Sequence, residues 1–120
     1  MKLIVTMQRP DLDSSMDPRF GRARYFLLVD TETDEMTVHD NHQNLNAAQG
    51  AGIQAAQVVT QLGAQAVLTG HVGPKAFATL QAGQVAIYSG VTGTVRQALE
   101  RWRSGHLQPA TAANVEGHWN

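Results

Sequence analysis

From residue 50 onward, apolar residues at helical spacing alternate with short β-branched runs, and glycines fall at the junctions. That alternation constrains the fold more than any other feature. Strands separated by helices lie parallel in one sheet, joined by right-handed crossovers. The expected elements are a helix over Gly50 to Leu62 closed by Gly63, a strand over Ala66 to Thr69, and a helix over Pro74 to Leu80. A strand over Val85 to Tyr88 and a helix from Thr92 or Gly93 to about Arg103 follow. Pro74 suits a first helical turn, where its missing N–H costs nothing.

The first half reads differently. Lys2 to Met7 and Tyr25 to Asp30 are β-rich apolar runs, and Met36 to His39 alternates. The polar turn from Thr31 to Glu35 makes the last two a hairpin. Gln8 to Pro18 and Asn41 to Asn46 carry loop chemistry. The order β-β-β-α-β-α-β-α predicts an α/β domain, a five-stranded mixed sheet flanked by helices, over residues 1–105. Residues 106–120 lack periodicity and read as an irregular C-terminal tail, with His106 and His118 solvated.

Composition excludes several classes. The chain has 16% charged residues and a formal net charge of -1, which argues against a general nucleic-acid or anionic-membrane binder. It has no cysteine, so disulfides, thiol catalysis and cysteine-held zinc or iron–sulfur centres are excluded. The apolar runs are too short for a bilayer span, and the N-terminus lacks a signal-peptide core, so the expected location is the cytoplasm.

In such sheets ligands collect beyond the carboxyl ends of the parallel strands. Three segments should meet there: Gln8 to Arg24, Thr69 to Pro74, and Ser89 to Thr94. The helix opening at Gly50-Ala51-Gly52 points its N-terminus the same way. Glycines admit close backbone approach, and helix N-termini offer free N–H groups and partial positive charge. Together they suit an anion, with Arg19 and Arg22 adding forked donors. Tight turns alone would also explain glycines. No phosphate-loop or dinucleotide fingerprint is present.

Among the histidines, His71 lies in a strand-to-helix turn at this edge, and His42 sits in a loop able to reach it. Asp11, Asp13 and Asp17 lack the glycine and the final Glu of a calcium loop, so they read as turn formers, with Asp17 fixing the loop that carries Arg19. Met7, Phe20, Phe26, Phe77 and Trp102 read as core. No carboxylate set suits a two-metal nuclease.

Ser15-Met16-Asp17-Pro18-Arg19-Phe20-Gly21-Arg22-Ala23, with its Phe-Gly-Arg-Ala close, resembles the signature loop of the dinitrogenase iron–molybdenum cofactor biosynthesis family. This is the small NifX-like domain, also found at the C-terminus of NifB proteins. The strand Tyr25 to Thr31, the helix start Gly50 to Ala56, the turn Thr69 to Phe77 and the turn Ser89 to Val95 resemble the family in the same order, over about residues 1–104.

The resemblance implies a ribonuclease H-like fold and a carrier, not an enzyme. The cofactor would be a molybdenum–copper sulfide cluster or an iron–molybdenum–sulfur cluster, held without cysteine in an anion cradle. Carried over, the site would be Arg19, Arg22, Gly50, Ala51, Gly52, Ile53, Gly70, His71, Gly73, Ser89, Gly90, Val91, Thr92, Gly93 and Thr94. His71 is the candidate metal ligand. A protein partner for cluster delivery and a monomeric state are further expectations, with no nucleic acid and no membrane. A nucleotide- or phosphate-binding regulatory module and a metal-dependent nuclease remain the alternatives.

Overall fold

The computed structural model describes residues 1–42 and 50–113. The loop expected over 43–46, and His118, lie outside the described residues. The elements in chain order are β1 (Lys2–Met7), β2 (Tyr25–Asp30), β3 (Met36–Asp40), α1 (Ala51–Gln61), β4 (Ala66–Leu68), α2 (Pro74–Ala82), β5 (Ala86–Tyr88) and α3 (Val95–Arg103). They form one five-stranded sheet in the order β3-β2-β1-β4-β5. The β1–β2 and β2–β3 pairs are antiparallel, and β1–β4 and β4–β5 are parallel. The molecule is therefore a mixed α/β sheet with flanking helices.

β1 is central, and its alternating residues feed two cores. Ile4 joins Phe20, Phe26, Val67 and Ile87 beneath the α1 and α2 residues Ala55, Val59, Phe77 and Leu80. Leu3, Val5 and Met7 face the opposite way, with Leu27, Val29 and Leu68 beneath Val95, Ala98 and Leu99 of α3. A strand buried on both faces must be apolar throughout, which explains the unbroken Leu3 to Val5 run. Trp102, expected in the core, is only partly buried at the margin of the second cluster.

Local chemistry sets the element ends. The Asp30 carboxylate accepts the Glu32 N–H at 3.0 Å, and Asp34 takes φ 61°, which turns the β2–β3 hairpin. Thr94 caps α3 by accepting the Gln97 N–H, while the Gln97 side chain accepts the Thr94 N–H, a reciprocal capping box. This cap starts the helix at Val95 and not at Thr92 or Gly93.

The segment after α3 is irregular, but it is not simply solvated. The Ala110 N–H donates to the Ile87 carbonyl at 2.6 Å, on the side of β5 away from β4. Leu107 packs on the second core cluster, and Ala110 and Ala113 on the first. The chain thus wraps the β5 edge and shields an otherwise open strand. Truncation after Gly105 is expected to cost about 2–3 kcal/mol, from the half-buried Leu107, the packed Ala110 and Ala113, and the His106 and Ala110 backbone hydrogen bonds. A fall in the urea midpoint would show it. An unchanged midpoint would mean that the wrap adds nothing. Among the described residues no helix is long and apolar enough to cross a membrane.

Candidate functional site

Three loops leave one edge of the sheet. Residues 8–24 follow β1, 69–73 follow β4 and 89–94 follow β5. Because these strands are parallel, all three exits are carboxyl ends. The antiparallel partners bring the start of β2 and the end of β3 to the same edge, with Met7 opposite Tyr25 and Tyr25 opposite Asp40.

The first loop is stitched to both others. The Met16 N–H donates to the Gly93 carbonyl at 2.9 Å, and the His71 N–H to the Pro18 carbonyl at 2.7 Å. The Phe20 N–H returns to the His71 carbonyl at 3.1 Å. The Gly90 N–H donates to the Gly70 carbonyl at 2.7 Å, joining the remaining pair. Beneath them Thr6, fully buried, donates its hydroxyl to the Asp17 carbonyl at 2.8 Å. Its one hydrogen is then used, so Thr69 donates in the 3.0 Å bond between the two hydroxyls.

Two glycines permit this closeness. A Cβ on Gly70 would lie 2.6 Å from the Pro18 carbonyl oxygen and 2.8 Å from its Cα. A Cβ on Gly21 would lie 2.7 Å from both the Cα and the N of Gly52. The second contact brings the signature loop against the start of α1. The edge therefore gathers all four segments expected there.

Asp17 holds the loop from within. Its side chain is 3% exposed, and its two oxygens accept the N–H groups of Arg19 at 3.1 Å and Arg24 at 3.2 Å. Arg19 Nε lies 3.7 Å from the same carboxylate, and the Arg19 side chain is 46% exposed. Asp11 and Asp13 serve turns, as expected. The Asp11 carboxylate accepts the Asp13 N–H at 2.7 Å. Asp13 also pairs with Arg96 at 2.9 Å, and that guanidinium, through its hydrogen bond, holds the Asp13 carboxyl below its usual range.

The helix ends divide the expected donors. No side chain among the described residues caps α1, which begins after Gly50, or α2, which begins after Gly73. α3 is different. The N–H groups of Val95 and Arg96 go to the Ser14 and Leu12 carbonyls at 3.0 and 2.9 Å, and that of Gln97 to Thr94. The Thr94 N–H goes to Gln97. Its first turn is thus saturated, and Thr94 is a cap before it is a donor. Val91 is a core residue, and its N–H is bound to the Thr69 carbonyl at 3.0 Å. The Thr92 carbonyl accepts from Arg101. Gly90 and Gly93 are exposed, Ser89 and Ile53 half-buried, and Ala51 and Gly52 buried, so the last two can offer only backbone.

Arg22 is half-buried and already engaged. His71 is exposed and pairs through its backbone with Arg19. His42 lines a hollow of about 170 Å³ with Arg24, Tyr25 and Asp40. A larger hollow of about 450 Å³ is lined by Gln8, Arg9, Asp17, Pro18, Arg19 and Arg24. No sequence motif marks Arg9 or Arg24 as a site residue. They reach one only because residues 8–15 double back, with the Gln8 N–H on the Ser15 carbonyl at 3.2 Å.

The family profile described as "Dinitrogenase iron-molybdenum cofactor" matches residues 1–105. The chain belongs to that family. The apo form of the orange protein from Desulfovibrio gigas is 43% identical, covers 95% of this chain and 96% of its own, and superposes with a TM-score of 0.92. A putative NifB protein from Thermotoga is 32% identical over 97% of this chain and 98% of its own, with a TM-score of 0.83. An uncharacterised protein of Methanocaldococcus jannaschii is 24% identical over 80% of this chain and 83% of its own length.

Among the described residues of this family member no three His, Asp or Glu side chains gather as ligands for a bare metal ion. His71 has no companion ligand set there. The donors at this edge are backbone N–H groups and guanidiniums. Such a set fits an anion that brings its own metal ligands, because it neutralises charge without competing for the metal.

Proposed function

We propose that this edge binds and carries a molybdenum-containing metal–sulfur cluster, and that the protein is a carrier and not an enzyme. The observation that carries the reading is the convergence, at the carboxyl edge, of an arginine-bearing loop with two helix starts that no described side chain caps. Family membership supports the cargo class. A chain with no cysteine favours a cluster whose sulfides already complete the metals' coordination, so we infer a copper-bridged thiomolybdate over an iron–molybdenum–sulfur cluster. The strand order agrees with the ribonuclease H-like frame that we infer for the fold.

Arg19 would stabilise the bound anion by forked hydrogen bonds, and the backbone N–H groups at the starts of α1 and α2, uncapped by any described side chain, would add fixed donors. His71, beside Arg19, would supply at most one imidazole contact to copper. The test is to incubate the protein with tetrathiomolybdate, with and without copper, desalt it, and measure the visible spectrum and metals per chain. Retained colour with stoichiometric molybdenum and copper is expected. Arg19→Ala should weaken retention about tenfold, the effect of losing roughly 1.4 kcal/mol of charge-assisted bonding. Saturable nucleotide binding without retained thiomolybdate would transfer the site to a phosphate ligand.

A further inference from the structure

The hollow lined by Arg9, Arg19 and Arg24 gathers positive charge at this edge. Three arginines line about 450 Å³ to which, among the described residues, Asp17 alone brings a carboxylate. That carboxylate is buried, and its oxygens are used by two backbone N–H groups, with only a long 3.7 Å approach to Arg19. Other acids lie in neighbouring hollows, Asp11 and Asp13 beside Arg9 and Asp40 beside Arg24. Asp13 pairs with Arg96, Asp11 accepts the Asp13 N–H, and Asp40 accepts the His42 N–H at 2.7 Å. Among the described residues, Arg9 and Arg24 make no ion pair.

Three arginines outnumber the one lining carboxylate, so the hollow is net positive and favours an anion. The loop backbone between them is held in place. Residues 16–20 are fixed by the Gly93 and His71 backbone bonds and by Thr6 below. The Gln8 amide donates to the Met16 carbonyl at 3.2 Å, which fixes the arm leading to Arg9. Arg9 follows β1 and Arg24 precedes β2, so the two flank the loop that bears Arg19. The forked planar donors that arginines carry suit a tetrahedral dianion.

We propose that Arg9, Arg19 and Arg24 form a subsite for a tetrahedral oxo- or thio-dianion, on the β1–β2 side of the edge. The proposal rests on the reading of this edge as anion-binding and narrows it to one ligand geometry, gripped through two residues, Arg9 and Arg24, that the carried-over site omits. The subsite would hold a mononuclear anion, or the tetrahedral end of a larger cluster.

The probes are molybdate, sulfate and tetrathiomolybdate, each titrated by equilibrium dialysis at low ionic strength. One anion per chain is expected, with affinity falling as salt rises because the arginines are exposed. Arg9→Ala and Arg24→Ala should each weaken molybdate about tenfold. Lys2→Ala, which removes one charge at the opposite edge, should change it less than about twofold. Equal losses in all three variants, or no saturable oxyanion binding, would overturn the subsite. Thiomolybdate colour retained undiminished in Arg9→Ala and Arg24→Ala would also overturn it, and would leave the cluster reading standing. Molybdate binding that depends on both arginines, with no thiomolybdate retained, would uphold the subsite and sink the cluster reading.

Discussion

Gly70→Ala is expected to destabilise the protein by about 3 kcal/mol or more and to open the ligand edge. The added methyl would meet the Pro18 carbonyl oxygen at 2.6 Å and its Cα at 2.8 Å, both backbone atoms. No side-chain rotation relieves a contact with backbone. The loop must move, and three bonds stand in the way: His71 N–H to Pro18, Phe20 N–H to His71, and Gly90 N–H to Gly70. Gly90→Ala is the control. Gly90 has φ 71°, but a methyl added there would meet no atom within 4 Å, so only left-handed strain of about 1–2 kcal/mol applies. Urea unfolding of the two variants should therefore separate them, with Gly70→Ala the less stable. Equal midpoints would mean that the Pro18 contact relaxes freely.

The strand and helix order was readable because it follows from local pattern. Lys2–Met7 and Tyr25–Asp30 coincide with their expected ranges, since each apolar run ends at loop-forming residues. Short helices and strands shift by a residue or two where a cap decides the boundary, as Thr94 does for α3. The wrap of residues 107–113 was not readable. It depends on one backbone bond to Ile87 and on scattered Leu and Ala contacts, which leave no periodicity.

The candidate site divides the same way. The meeting of the three loops follows from parallel strands, and the inward role of Asp17 follows from its place before Pro18 and Arg19. Which N–H groups are free does not. Spacing marks a helix start at Thr92 or Gly93, but only the fold shows Thr94 as the cap and Ser14 and Leu12 occupying the first donors. Arg9 and Arg24 were invisible as a pair because they lie 15 positions apart in the chain and meet through a doubled-back loop.

Phe20→Ala should be the most damaging single change to both fold and site, costing about 3–5 kcal/mol. Phe20 is 1% exposed although it belongs to a loop. Its ring stacks on Phe26 of β2 with centroids 5.9 Å apart and planes at 27°. The first core cluster, which includes residues of α1 and α2, closes around it. Its backbone N–H meanwhile binds the His71 carbonyl. One residue thus fixes the signature loop to the core with its side chain and to the β4 exit with its backbone. Truncation leaves a ring-sized void beside Phe26, and a ring-sized void in a rigid core collapses only partly. Since domains are stable by roughly 5–15 kcal/mol, much of the total is at stake. Phe20→Leu retains most of the volume and should cost less than half as much. If ligand retention falls in Phe20→Leu while its urea midpoint stays close to that of the parent, the loop's position and not global stability controls the site. If retention and midpoint fall together in both variants, Phe20 serves the core alone.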